Sequence, residues 1–347
     1  MTHLGDNPND DFPPDRDAGH SPNAPLEERR YGRVGQPALW PQQPLDPSAP
    51  LAGDPITYAA QSPNSIAPAF NSNSAIPEDL RISWYWPHLI LFVFFTFASF
   101  LVVQTAMFIY YGPKESMPRE QLEQYLLNKP QFLFGTNVLW YASVFLFLYV
   151  TLSVLRDVPF WSSLGWKKLS AHLTSTWGGP WSYFLGGCVL AILVGIASSH
   201  VKDTDKMPIQ ELFKNRGNAI LFMCMAVFLA PLVEETVFRG YFYPLLARMV
   251  YSITRRFGVQ PPEAIRTGVF SSIVITGVLF GLMHGAQLGW KWSVVSLLIL
   301  VGVIFTFARA RTGTVLASFL LHLGYNSMIV ATTVIGTHGF TKIPTGP

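Results

Sequence analysis

The residues of this chain that could do chemistry fall into three short runs. In Pro231-Leu-Val-Glu-Glu-Thr-Val-Phe-Arg239, two adjacent carboxylates, Glu234 and Glu235, precede a cation. On a helix Glu235 and Arg239 stand at i and i+4 with the carboxylate N-terminal, which is the favourable order for an ion pair. Glu234 is turned about 100° away and is left without a partner in its own helix. This difference assigns Glu235 and Arg239 to support and Glu234 to chemistry. Phe280-Gly-Leu-Met-His284 and His322-Leu-Gly-Tyr-Asn326 repeat the four-residue step. The first run puts a ring and an imidazole on one helix side, and the second does the same for an imidazole and a carboxamide.

These groups are informative because the segments around them are apolar. Half of the residues belong to the hydrophobic set and only 13% are charged. From Leu89 onward, uninterrupted stretches reach the roughly 20 residues that a helix needs to cross hydrocarbon. The expected fold is all-α: a polytopic transmembrane bundle of about seven or eight helices in an integral, multi-pass membrane protein. A charge at the bilayer centre costs about 2.5 to 3.5 kcal/mol, so Glu234, Glu235, Arg239, His284 and His322 need mutual pairing or a wet cavity. The residues alone leave three accounts: a functional site, a structural network in a non-catalytic immunity or partner-anchoring protein, and an ion-coupled transporter. The last would normally carry inverted repeats, and none is visible.

Seven apolar segments, near 87–111, 131–155, 181–199, 218–248, 266–287, 292–309 and 314–336, are bounded by Pro, Gly or charged residues. The fourth is too long for one perpendicular crossing and holds Pro231, so it is expected to tilt, kink or break, with room for an eighth helix. Gly277, Gly281 and Gly285 in the fifth and Gly324 in the seventh predict close helix contacts. The stretch from Phe160-Trp161 to Trp166-Lys167-Lys168 reads as interfacial. Residues 1–80 hold 14 of the 27 prolines among many polar residues. That composition predicts a disordered tail, followed by a transmembrane domain over 81–340. The net charge of +3 is spread without a basic stripe, so nucleic acid is not an expected partner. Cys188 and Cys224 form neither a CxxC pair nor a metal set. His3, His20, His88, His172, His200 and His338 fall in the tail, loops or helix ends and are set aside. Lys and Arg near the helix ends favour neither orientation.

Glu-Glu-x-x-x-Arg at 234–239, Phe-x-x-x-His at 280–284 and His-x-x-x-Asn at 322–326, in this order on successive membrane helices, resemble the CAAX-protease and bacteriocin-processing (CPBP) family. That family comprises intramembrane peptidases related to the type II CAAX prenyl endopeptidase, and the resemblance covers roughly 215–336. It implies an intramembrane endopeptidase in which Glu234 with His284 activates a water, Glu234 being the general base. His322 and Asn326 would donate to the oxyanion of the tetrahedral intermediate, while Glu235, Arg239 and Phe280 support the site. The family has also been described as metallopeptidases, in which case Glu234, His284 and His322 would hold zinc and leave a position for water. The absence of HExxH favours the metal-independent glutamate mechanism. The implied substrate is a membrane protein or peptide, with prenylated clients among the candidates.

Overall fold

The structure is a computed structural model that describes residues 76–170, 179–201 and 216–339. The expectation of a tail therefore lies almost wholly outside the described residues, as do His3, His20 and His172. Among the described residues seven helices are long and apolar enough to cross a membrane: α1 (Trp86–Tyr111), α3 (Pro130–Val154), α5 (Pro180–Ser199), α6 (Arg216–Arg256), α7 (Pro261–Met283), α8 (Trp292–Thr312) and α9 (Val315–Gly336). Two shorter helices, α2 (Arg119–Leu127) and α4 (Phe160–Ser163), lie between them in sequence. Among the described residues no strand occurs. The protein is an integral multi-pass membrane protein.

Proline and glycine set several boundaries. Prolines occupy the first or second position of α1, α3, α5 and α7, where the missing N–H is an orphan in any case. Helix α8 ends at Gly313, whose φ of 71° suits a residue without a Cβ. The Thr314 side chain then accepts from the Leu316 amide and caps α9. Helices α1 and α5 keep most of their apolar side chains exposed, as in Phe94, Ile109 and Trp181. In water such faces would be untenable; in lipid they are the solvent-matched surface.

Helix α5 packs along α9, α7 packs along both α8 and the end of α6, and α1 packs along α3. The predicted glycine contacts are present at two of these seams. A Cβ on Gly324 would run into the Phe184 carbonyl, and one on Gly277 or Gly281 would meet the backbone at Val303 or Ile299. Gly285 instead faces the Trp290 ring, because it lies beyond the end of α7. The fourth segment is one unbroken helix of 41 residues and hides no eighth span. At 1.5 Å per residue it is about 60 Å long, roughly twice the hydrocarbon thickness, so it must tilt or project from the bilayer.

Residues just before 81 are already packed against α6. Ile76 and Leu80 are buried against Tyr243 and Ala247, and Glu78 pairs with Lys167 at 2.8 Å. That cation holds the exposed Glu78 carboxyl below its ordinary pKa. In the stretch read as interfacial, Trp161 stays exposed, but Phe160 and Leu164 are buried. Leu164 fits there because Gly240 on α6 leaves its backbone room. His88 is no incidental residue. Its Nδ1 lies 2.7 Å from the Tyr241 hydroxyl and its Nε2 lies 2.9 Å from the Thr151 hydroxyl, which ties α1, α3 and α6 together.

Candidate functional site

Helix α6 carries the carboxylate pair on an α-helical turn, Ala230–Glu235, bracketed by two π-helical segments, Met225–Leu229 and Thr236–Phe242. Each π segment ends just before a proline, Pro231 or Pro244. A proline ring clashes with the carbonyl four residues back and removes the N–H that would have paired with it, so a wider turn relieves both conflicts. The freed backbone is put to use: the Ala226 carbonyl, inside the first π segment, accepts from Asn326 Nδ2 at 2.7 Å.

Glu235 and Arg239 form the expected ion pair, Nη1 to Oε1 at 2.9 Å, with both side chains wholly buried. Arg239 also donates to the Gly302 carbonyl at 2.9 Å and to the Thr306 hydroxyl at 3.3 Å. Its guanidinium lies 4.5 Å from the Phe280 ring centroid. A buried guanidinium whose donors are so occupied, and which stacks on an aromatic face, is a rigid strut. The same Glu235 oxygen accepts from His322 Nδ1 at 3.0 Å. Phe305 and Phe280 pack on the His322 imidazole at 4.9 and 5.7 Å between centroids.

Glu234 stands apart from this strut and reaches a cavity of about 740 Å³ that His284, His322 and Asn326 also line. Its Oε2 is 4.0 Å from His284 Nε2 and 3.8 Å from His322 Nε2. All four side chains that the spacing and the resemblance single out therefore converge. His284 differs from expectation in one respect: α7 ends at Met283, and His284 is its C-cap rather than part of the span. Its Nδ1 turns back to the Phe280 carbonyl at 2.9 Å, and the two rings sit 4.8 Å apart.

These contacts fix the tautomers. A carbonyl and a paired carboxylate can only accept, so Nδ1 is the donor on both imidazoles and each presents Nε2 to Glu234. Glu234 Oε2 thus stands 4.0 Å from one imidazole Nε2 and 3.8 Å from the other. A water with legs of about 2.8 Å would bridge such a gap at roughly 90°, near its natural angle. Zinc ligands about 2.0 to 2.1 Å from the metal would stand nearer 3.3 Å apart. The separations are wider than that, and among the described residues no group of three or more His, Cys, Asp or Glu is gathered for a metal ion. As arranged, Glu234, His284 and His322 do not fit zinc.

The sequence did not single out the residues of α8 that complete the site. Gly302, Phe305 and Thr306 hold Arg239 and His322, yet they are ordinary residues in an apolar span. Nor did it single out Asn137 and Tyr141 of α3, which line the cavity. Tyr141 has one legible signal, a phenol in a membrane helix away from the headgroup belt.

In a comparison with protein families, residues 216–328 match "Type II CAAX prenyl endopeptidase Rce1-like". No curated protein and no solved structure matches. The matched segment runs from the start of α6 into α9 and so contains every residue of the converging set. The likeness to the type II CAAX prenyl endopeptidase family is thus confined to the stretch that carries the candidate site.

Proposed function

We propose that the protein is an intramembrane endopeptidase that hydrolyses a peptide bond of a membrane-associated substrate with Glu234 as general base. The observation that carries this reading is the separation of two adjacent carboxylates. Glu235 is buried and paired, whereas Glu234 is partly exposed to the cavity and faces two imidazole nitrogens. A base needs water and a neighbour that can share its proton, and Glu234 has access to both.

In the proposed reaction, a water held between Glu234 and His284 attacks the scissile carbonyl carbon and passes a proton to Glu234. Charge develops on the carbonyl oxygen, where the second N–H of Asn326 and, when it carries a proton, His322 Nε2 donate to it. The Nδ1–H of His322 is held by the Glu235 carboxylate, which leaves Nε2 as the nitrogen turned to the substrate oxygen. Glu234 then returns its proton to the leaving nitrogen as the C–N bond breaks. The apolar walls, including Leu133, Val194 and Leu297, suit a lipid-embedded substrate, with a prenylated segment as one client class.

The test is Glu234→Gln in purified protein with a fluorogenic membrane-anchored peptide. Loss of at least 10³-fold in kcat with little change in thermal stability is expected, in line with the size of general acid–base and electrostatic contributions. Cleavage at the wild-type rate would remove Glu234 from the role. In a non-catalytic partner-anchoring protein, Glu234→Gln would retain full biological function.

A further inference from the structure

A second pocket, of about 350 Å³, opens where the start of α1 meets the last turns of α6. Trp86 is the first residue of the first membrane span, so this pocket beside it sits at the edge of the hydrocarbon. Tyr85 and Trp86, 59% and 58% exposed, form its aromatic wall, as side chains do at headgroup level.

Its polar side comes from Arg248, Ser252 and Arg256, which succeed one another every four residues along one flank of α6. No acidic residue lines it. Arg248 Nη1 is buried with no hydrogen-bond partner, although the guanidinium lies over the Tyr251 ring at 5.6 Å. Arg256 makes no ion pair among the described residues, and Ser252, whose hydroxyl donates back to the Arg248 carbonyl at 2.8 Å, keeps the floor between the two cations low. A buried guanidinium N–H without an acceptor is costly, and a turn of the Arg248 side chain toward an anion in the pocket removes the cost. Leu245, Met249 and Ile253 continue the same wall as an apolar strip.

We propose that this pocket binds the phosphate of an anionic phospholipid. The phosphodiester sits between Arg248 and Arg256, the glycerol lies beside Trp86, and an acyl chain runs along Leu245, Met249 and Ile253. Its depth at the bilayer edge and its combination of two free cations with an apolar strip fit a lipid headgroup better than a soluble anion. The site is separate from the Glu234 cavity and does not depend on the peptidase reading.

The test uses the full chain in dodecyl maltoside with phosphatidylglycerol, phosphatidylcholine or inorganic phosphate, read by thermal unfolding and native mass spectrometry. Phosphatidylglycerol is expected to raise Tm by several degrees and to remain as one bound lipid, while phosphatidylcholine and millimolar phosphate do neither. Arg248→Gln with Arg256→Gln should abolish the phosphatidylglycerol effect. Should that pair fail to fold, Ser252→Glu, at an exposed position, places a negative charge in the pocket and should abolish it as well. An equal shift with phosphatidylcholine, a shift reproduced by phosphate alone, or a phosphatidylglycerol shift that survives Ser252→Glu would each overturn the proposal.

Discussion

Replacing Arg239 with glutamine tests the division of labour between the two carboxylates. The substitution keeps a hydrogen-bonding side chain of moderate size but removes the charge from a pair in which both partners are 0% exposed. Glu235 would keep His322 at 3.0 Å and the Ser318 hydroxyl as its polar neighbours. One of its oxygens, Oε2, already has no hydrogen-bond partner. Breaking a buried pair by removing one partner costs about 3 to 5 kcal/mol, because the other charge is stranded. The lost contact with the Phe280 face, 4.5 Å away, adds about 0.5 to 2 kcal/mol. Unfolding of Arg239→Gln, Glu235→Gln and the double variant in bicelles forms a double-mutant cycle. The double variant strands no charge, so it should be more stable than Arg239→Gln alone, with a coupling of about 2 to 3 kcal/mol between the sites. An Arg239→Gln cost below about 1 kcal/mol, or additive effects, would refute the buried strut.

Three further outcomes follow from the same geometry. Asn326→Ala should lower kcat about 10²- to 10³-fold, the loss seen for one oxyanion donor, with a small fall in Tm from the lost bond to Ala226; an unchanged kcat would remove Asn326 from the oxyanion site. Gly324→Ala should destabilise the α5–α9 seam by about 1 to 3 kcal/mol, since its Cβ meets backbone at Phe184 that cannot rotate away; chemical denaturation in detergent measures this, and a neutral effect would show that the seam can open. Treatment with 1,10-phenanthroline should leave cleavage intact and purified protein should hold less than one zinc per chain, because the three side chains stand wider than zinc bonds allow; stoichiometric zinc with inhibition on chelation would overturn the metal-independent reading.

Much of the site was legible because its local spacings are helical. Glu235 with Arg239, Phe280 with His284, and His322 with Asn326 each sit four apart, and helical period alone predicts that each pair shares a face. The membrane fold was legible for an equally local reason, since each span carries its own length of apolar sequence. Partners contributed across helices left no such trace. Gly302 acts through a carbonyl and Thr306 through a hydroxyl that also bonds within its own helix, so neither residue type hints at a guanidinium. The π segments follow from Pro231 and Pro244, but a proline in a long apolar run equally permits a kink or a break. Packing against α7 and α9 decided among these.

The roles of the imidazoles are where sequence reasoning had least to work with. A histidine read from sequence can donate, accept or bind metal, and its choice at Nε2 depends on what Nδ1 meets. For His284 that partner is its own helix, through the Phe280 carbonyl four residues back. For His322 it is Glu235, from a helix 87 positions away. The second contact changes the meaning of the Glu-Glu pair. Glu235 braces Arg239 and also takes the Nδ1–H of His322, so that His322 donates from Nε2 only when it carries a second proton. Glu235→Gln should then lower kcat as well as stability, because an amide that can donate as well as accept no longer fixes which ring nitrogen of His322 is turned to the substrate. A folded Glu235→Gln variant that keeps the wild-type kcat would show that His322 does not act as an oxyanion donor, leaving Asn326 to hold the oxyanion without it.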